Sequence, residues 1–328
     1  MHIENLYRPK AQVILNFKKV FALEKIHGTS AHITFKCNPS NKDQRQLVFF
    51  SGGESYDKFI NLFDKDALMK GLIELGLDSE RDLTIYGEAY GGSQQGMSGT
   101  YGKSLKFIAF DVQIGNCWLS VPEADALVTK LGLEFVYYTE VSTDLASLDA
   151  ERDGPSIQAI RNGVSEYLPL GDEREKTIVV STGTFKAGEP CWYMGKILLN
   201  PKKREGVVIR PLVEMTLNNS ERVICKHKGD DFKETATVRK VVDPTQMKVL
   251  EDANAVANEW VTANRLEHVL DKIPGHDMTK MRDIISAMIE DVLREGSGEI
   301  VESEAVSKSI GKKTVEMYKA FLKSQIKT

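Results

Sequence analysis

Cysteine is scarce in this chain. The four residues Cys37, Cys117, Cys191 and Cys225 lie far apart in 328 and form no Cys-x-x-Cys pair. That excludes a disulfide framework and a zinc-knuckle pattern, and it points to a reducing compartment. Long apolar runs are lacking as well. No segment approaches the roughly 20 residues of a membrane-spanning helix, and the opening MHIENLYRPK has no signal-peptide core. A cytoplasmic location away from membranes is the expectation. A strong charge of one sign is also missing: the net charge is −4, so any surface for nucleic acid must be a local patch. Nothing repeats at a fixed period, which excludes solenoid architectures.

What is present reads as an ordinary globular chain, 41% hydrophobic and 27% charged, long enough for one large domain and a smaller one. Residues 1–243 are rich in short β-like runs, among them VFALEKI, SAHITFK, QLVFFS, LTIYGEA, LKFIAFDVQI, TIVVST, GVVIRPL and RVICKHK. Hairpin-length connections predict antiparallel sheets and an α+β fold, with helices over SYDKFINLFDKDALMKGLIELGL and VPEADALVTKLGL. From Pro244 the period changes. Val249, Ala253, Val256, Trp260 and Val261 fall at helical spacing, as do Met281, Ile284, Ile285, Met288 and Val292, with Asp277 as a cap. Residues 244–328 are therefore expected to form a small all-α domain, with the boundary in VVDPTQ.

One glycine-rich stretch is a decoy. GEAYGGSQQGMSGTYGKS ends in Gly-Lys-Ser, but a phosphate-binding P-loop needs a glycine where Met97 stands. A strand-like run follows it, so no helix N-terminus is available for phosphates.

Chemistry is carried by short elements in order: Lys25 in EKIHGT, Glu88 in YGEAYGG, Phe110-Asp111 in FIAFDV, Glu205 in REGVVIRP, and Lys226 and Lys228 in CKHK. Each alone has a bland reading as a wet strand end or plain core. Together they suit nucleotidyl transfer. A lysine amine can attack the α-phosphorus of a nucleoside triphosphate and split one transfer into two. Lowering a lysine pKa from about 10.4 to about 8 takes roughly 3–4 kcal/mol of burial and nearby positive charge. Further lysines and a divalent cation would supply that charge and neutralise the departing phosphates. Glu205 is the candidate metal ligand, because Mg²⁺ takes oxygen ligands shared with phosphates and water. Glu88 could accept from a ribose hydroxyl, and Phe110 could stack on a purine. A zinc reading of His27 with Cys225 and His227 lacks a fourth ligand at a fitting spacing. His227 should point away from Lys226 and Lys228, since strand neighbours alternate faces.

These motifs resemble the ordered set of the covalent nucleotidyltransferases, the ligase and capping-enzyme superfamily. EKIHGT is most similar to the RNA ligase 2 family of nick-sealing RNA ligases, and the helical tail resembles the C-terminal domain of that family. The resemblance implies an ATP-dependent RNA ligase that uses Mg²⁺ (or Mn²⁺) and joins 3′-hydroxyl to 5′-phosphate ends of RNA, as nicked duplexes or free RNA ends, with RNA/DNA hybrids as a further substrate class. Lys25 would be adenylylated, with Glu24, Ile26, His27 and Gly28 around the adenosine phosphate. Glu88 would contact ribose and Phe110 adenine. Glu205 would serve metal and adenylylation, and Lys226 and Lys228 would grip phosphates. Arg222 is a further phosphate candidate. The family commonly has an arginine in a segment like KRTG; here FFSGGES stands in that place, so Ser51 and Gly52 would offer a hydroxyl and backbone N–H groups instead. The terminal lysines, Lys312 and Lys313 among them, suit an RNA backbone. A monomer is expected, and for a phage-encoded protein the host cytoplasm. The alternatives are an ATP-dependent DNA ligase, a capping-type nucleotidyltransferase, or a non-catalytic protein that binds RNA ends.

Overall fold

The computed structural model describes residues 3–37, 45–76, 81–180, 186–238, 240–241, 249–273 and 275–326. The chain divides into two compact units: residues 10–229 with the extreme N-terminus through Asn5, and residues 230–328 with the segment Leu6–Pro9. The boundary expected at 243/244 lies outside the described residues.

In the larger unit every named strand pairing is antiparallel, as the hairpin-length connections predict. A five-stranded sheet has the order β3-β2-β4-β5-β6, built from β2 (Thr29–Lys36), β3 (Gln46–Ser51), β4 (Leu83–Tyr90), β5 (Lys106–Ile114) and β6 (Cys117–Trp118). A four-stranded sheet runs β12-β11-β1-β7, from β1 (Lys19–Lys25), β7 (Tyr138–Ser142), β11 (Gly206–Pro211) and β12 (Cys225–Lys228). A small sheet of β8 (Glu166–Tyr167), β9 (Cys191–Tyr193) and β10 (Lys196–Leu199) completes the set. The described part of TIVVST, residues 177–180, carries no strand, contrary to its β-like sequence.

Period-2 patterning decides which face is buried. Ala31, Ile33 and Phe35 of β2, with Leu83, Ile85 and Ala89 of β4, enter the main core; Ser30, His32 and Lys36 take the other face. The core is closed by α1 (Tyr56–Ile60), α2 (Lys65–Glu74) and α4 (Val121–Lys130), through Phe59, Leu68, Leu72, Ala124 and Val128. The single helix expected over SYDKFINLFDKDALMKGLIELGL is two. The Asp64 side chain accepts from the Ala67 N–H at 3.0 Å and starts α2 afresh. Helix α4 opens on a capping box of Ser120 and Glu123 with Pro122 in its first turn. The glycine-rich decoy runs from the end of β4 through a 3-10 turn (Gln94–Gly96) into the four-residue α3 (Ser98–Tyr101), and strand β5 follows it, as its sequence predicts. Two further short helices, α5 (Leu145–Arg152) and α6 (Ile157–Arg161), start on the caps Asp144 and Ser156.

The smaller unit is helical, comprising α7 (Ala253–Trp260), α8 (Ala263–Leu270), α9 (Met281–Glu295) and α10 (Glu304–Ile326). Val256, Trp260, Val269, Ile284, Met288, Val292, Ile310 and Tyr318 form its core. Val249 does not join it: it is half-exposed, because the Asp252 cap starts α7 only at Ala253. Asp277 does act as a cap, for a short 3-10 turn leading into α9. Arg265 is buried against Asp291 and the Trp260 ring, and Arg8 pairs with Glu299 inside the same unit. Among the described residues no helix is long and apolar enough to cross a membrane.

Candidate active site

Three strands bring the reactive side chains together around one glycine. Gly206 begins β11 and pairs with Lys25 at the end of β1 on one side and with Lys228 of β12 on the other. Its φ is 151°, and a Cβ at this position would stand only 2.2 Å from the His227 carbonyl oxygen, so no side chain fits. The preceding residue, Glu205, is fully buried and gathers Lys25, His27 and Lys228 around its carboxylate. Lys25 Nζ donates to its Oε2 at 2.8 Å, His27 Nδ1 lies 3.1 Å from the same oxygen, and Lys228 Nζ stands 3.1 Å from Oε1. Burial alone would push the Glu205 carboxyl up. The charges of Lys25 and Lys228, with His27, outweigh it and hold the group well below the usual carboxylate range.

Lys228 meets Oε1 as an ion pair, and among the described residues this buried oxygen has no hydrogen-bond partner. An oxygen of that kind fits a divalent cation that takes its other ligands from phosphates and water. Among the described residues no cluster of three or more acidic, His or Cys groups surrounds it.

The turn after β1 carries His27 to Glu205 and Gly28 to β4. Its His27 N–H donates to the Tyr101 hydroxyl at 3.3 Å. A Cβ on Gly28 would stand 2.4 Å from the Ala89 carbonyl oxygen and 3.0 Å from Glu88 Cγ, so only glycine allows this approach. The same approach brings the Gly28 N–H towards the Glu88 carboxyl, where it favours the ionised form. Burial raises that carboxyl to about 7; Lys25 and Lys228 pull it down, and Glu205 adds to the rise. Ile26, the residue between, is core.

Phe110 is placed by a β-bulge. Tyr86 faces Asp111 and Gly87 faces Ala109, so Phe110 is the extra residue on β5 and is turned out of the regular alternation. It is partly buried against the main core. Lys226 pairs with Val208 on the face that Lys25 and Lys228 share. His227 takes the opposite face, 2.7 Å from Asp149 and 3.2 Å from Arg152, as strand alternation predicts and away from His27. The Cys225 thiol is buried and pushed far up by that burial, so the structure does not assemble the Cys–His zinc reading.

Several residues chosen from sequence lie elsewhere. The Glu24 carboxylate faces away from Lys25 and accepts from the Ser156 hydroxyl and from the N–H groups of Ile157 (3.0 Å) and Gln158 (3.2 Å). It anchors the start of α6 and is not poised to meet a phosphate. Ser51 pairs with Ala31 on the core face, with its hydroxyl buried, and the Gly52 N–H is taken by the Ser30 carbonyl at 2.9 Å. Neither is placed to offer the phosphate contacts expected of it. The Arg222 guanidinium is likewise engaged. It bonds Asp111 at 2.6 Å and Glu214 at 2.7 Å and lies 4.0 Å over the Trp118 ring.

That engagement belongs to a buried network the sequence reading missed. Asp111 and Glu214 each bridge Arg210 and Arg222. A charged residue inside the apolar run GVVIRPL, with Glu214 four residues on, was the available signal. A cavity of about 390 Å³ beside Trp118 and Arg222 has none of Lys25, Glu88, Glu205 or Lys228 in its walls.

The family model for RNA ligase matches residues 18–228, from β1 to the end of β12. The chain belongs to the RNA ligase family. No curated protein matches it. Among solved structures it is similar to a mutant of Naegleria gruberi RNA ligase with ATP and Mn, at 16% identity and TM-score 0.44, covering 71% of this chain and 56% of that one. The same Naegleria protein with PPi gives 17% identity and TM-score 0.43 over the same shares. The match thus takes in little more than half of the Naegleria chain.

Proposed function

We propose that this RNA ligase family member is an ATP-dependent RNA ligase acting through a lysyl-AMP at Lys25. The observation that carries the reading is the Lys25–Glu205–Lys228 cluster around Gly206, inside the segment that the family model matches. In the first step Lys25 Nζ attacks the α-phosphorus of ATP. A P–N bond forms, the bond to pyrophosphate breaks, and the amine gives up a proton. AMP then passes to a 5′-phosphate end, which regenerates the amine. Attack by a 3′-hydroxyl on that activated phosphate joins the strands and releases AMP.

The residues divide the work by position. Lys226 and Lys228 share the Lys25 face and would hold the phosphates. Glu88, packed against Gly28, would meet the ribose, and Phe110 on its bulge would stack on the base. A divalent cation held by Glu205 would supply charge at the phosphates. The helical unit would grip RNA. In α10 Lys308, Lys312, Lys319 and Lys323 are exposed, whereas Lys313 is half-buried.

The test is incubation with α-labelled ATP and Mg²⁺, then a denaturing gel and peptide mapping. Label on Lys25, lost in Lys25→Ala, is the expected result. A label that survives on that variant overturns the reading.

A further inference from the structure

The face of the five-stranded sheet turned away from the main core carries a row of rings that the adenylylation chemistry does not use. His32 on β2 lies directly opposite Phe50 on β3, stacked with centroids 4.8 Å apart and planes 21° from parallel. On its other side His32 meets Tyr86 of β4 at 5.8 Å, and Tyr86 meets Trp118 of β6 at 5.2 Å. Arg222 covers Trp118, so that end of the row is closed by a guanidinium. The other end is open. Phe50 is 48% exposed on a strand that, among the described residues, lies at the sheet edge and pairs only with β2, while its neighbour Phe49 fills the core. Core packing therefore does not account for Phe50.

The row also continues the candidate active site. Ser30 pairs with Glu88, and His32 lies two residues further along the same face of β2, about 7 Å on. Exposed Lys36 stands on that face too. Burial lowers the His32 pKa, so at neutral pH its ring stacks as an uncharged group.

We propose that Phe50, backed by His32, is a stacking position for a base of the RNA strand whose end is being joined. This rests on the ligase reading above. An aromatic face tolerates any base, and sheet-borne rings are a recurrent way of holding unpaired RNA. The position would hold the strand near Glu88 without reading its sequence.

The test is binding of a 5′-phosphorylated, fluorescein-labelled single-stranded RNA to the full chain and to Phe50→Leu, Phe50→Ala and Phe50→Trp. Self-labelling with ATP is measured on the same preparations. The Leu and Ala variants should bind roughly 5- to 100-fold more weakly. Phe50→Trp should hold or gain affinity, and all three should label like the parent. Leu keeps the apolar surface and loses only the ring, so a purely structural role would leave its RNA affinity intact. Equal affinity of Phe50→Leu and the parent overturns the proposal. So does a change confined to self-association by sedimentation, which would make this face a protein contact. A parent that takes label but binds no RNA overturns it while sparing lysyl-AMP formation. A parent that binds RNA through Phe50 yet takes no label overturns the ligase mechanism alone.

Discussion

Lys25 Nζ and Glu205 Oε2 form a direct ion pair at 2.8 Å, so the nearest charge to the proposed nucleophile is negative. Lys228 balances that carboxylate from the other side. On the proposed mechanism the amine must be released from Glu205 before it can attack, which would make Glu205 part of the adenylylation step in addition to its fit as a metal ligand.

Glu205→Gln keeps the shape and removes the charge. Self-labelling should fall by roughly 10²-fold or more, the scale of losing a preorganised electrostatic partner. The fold should persist with some loss of stability, because Lys25 keeps about a quarter of its side chain in water while Lys228 is nearly buried. An unchanged rate of AMP labelling would sink the role assigned to Glu205.

Glu88 predicts a pH signature. Its carboxyl is raised to about 7 by burial, whereas in the unfolded chain it ionises near 4.5. The folded state therefore binds the extra proton, and this contribution to stability is present below 4.5 and lost as pH rises to 7. Its size is no more than about 3 kcal/mol. Glu205 runs the other way: its depressed group stabilises above 4.5 and loses that effect as pH falls. Thermal unfolding of Glu88→Gln against the parent isolates the first effect. The variant should gain on the parent steadily between pH 4.5 and 7; parallel curves would refute the assignment.

The legible part of the site was the part written in strand order. Lys25, Glu88, Glu205 and Lys228 stand in short motifs whose alternation fixes the face each takes, and the sheets bring those faces together. What stayed hidden depends on who meets whom across the sheets. Nothing in EKIHGT says that Glu24 will cap a helix 133 residues later at Ile157. Nor does CKHK reveal that Arg222, four residues before Lys226, will be locked to Asp111 and Glu214. In the helical unit the period was readable, but its start was set by the Asp252 cap and not by Val249.

The Arg210–Asp111–Arg222–Glu214 network carries a stability prediction. Arg210 and Asp111 are almost completely buried, and breaking a buried pair leaves a charge unpaired. Asp111→Asn should cost roughly 3–5 kcal/mol, read as a shifted midpoint in urea. It should also weaken nucleotide binding, since the neighbouring Phe110 sits on the bulge this network fixes. A midpoint within experimental error of the parent would show that Glu214 alone satisfies both arginines.

The division of labour between the two units yields the last prediction. Every residue of the Lys25 cluster lies within residues 10–229, and that unit has its own core. A chain ending at Gly229 should therefore keep self-labelling at Lys25. It should also lose strand joining by at least roughly tenfold, because the exposed lysines of α10 go with the helical unit. The cut has a second cost. Leu6 and Arg8 belong to the helical unit, where Leu6 is buried and Arg8 pairs with Glu299. Truncation strips both of their partners, so the shortened protein should also be less soluble unless Leu6 is made polar. Labelling and nick-joining gels on the parent, the truncated chain and the truncated chain with Leu6→Ser separate these effects. If joining survives in either truncation, the helical unit does not hold the RNA.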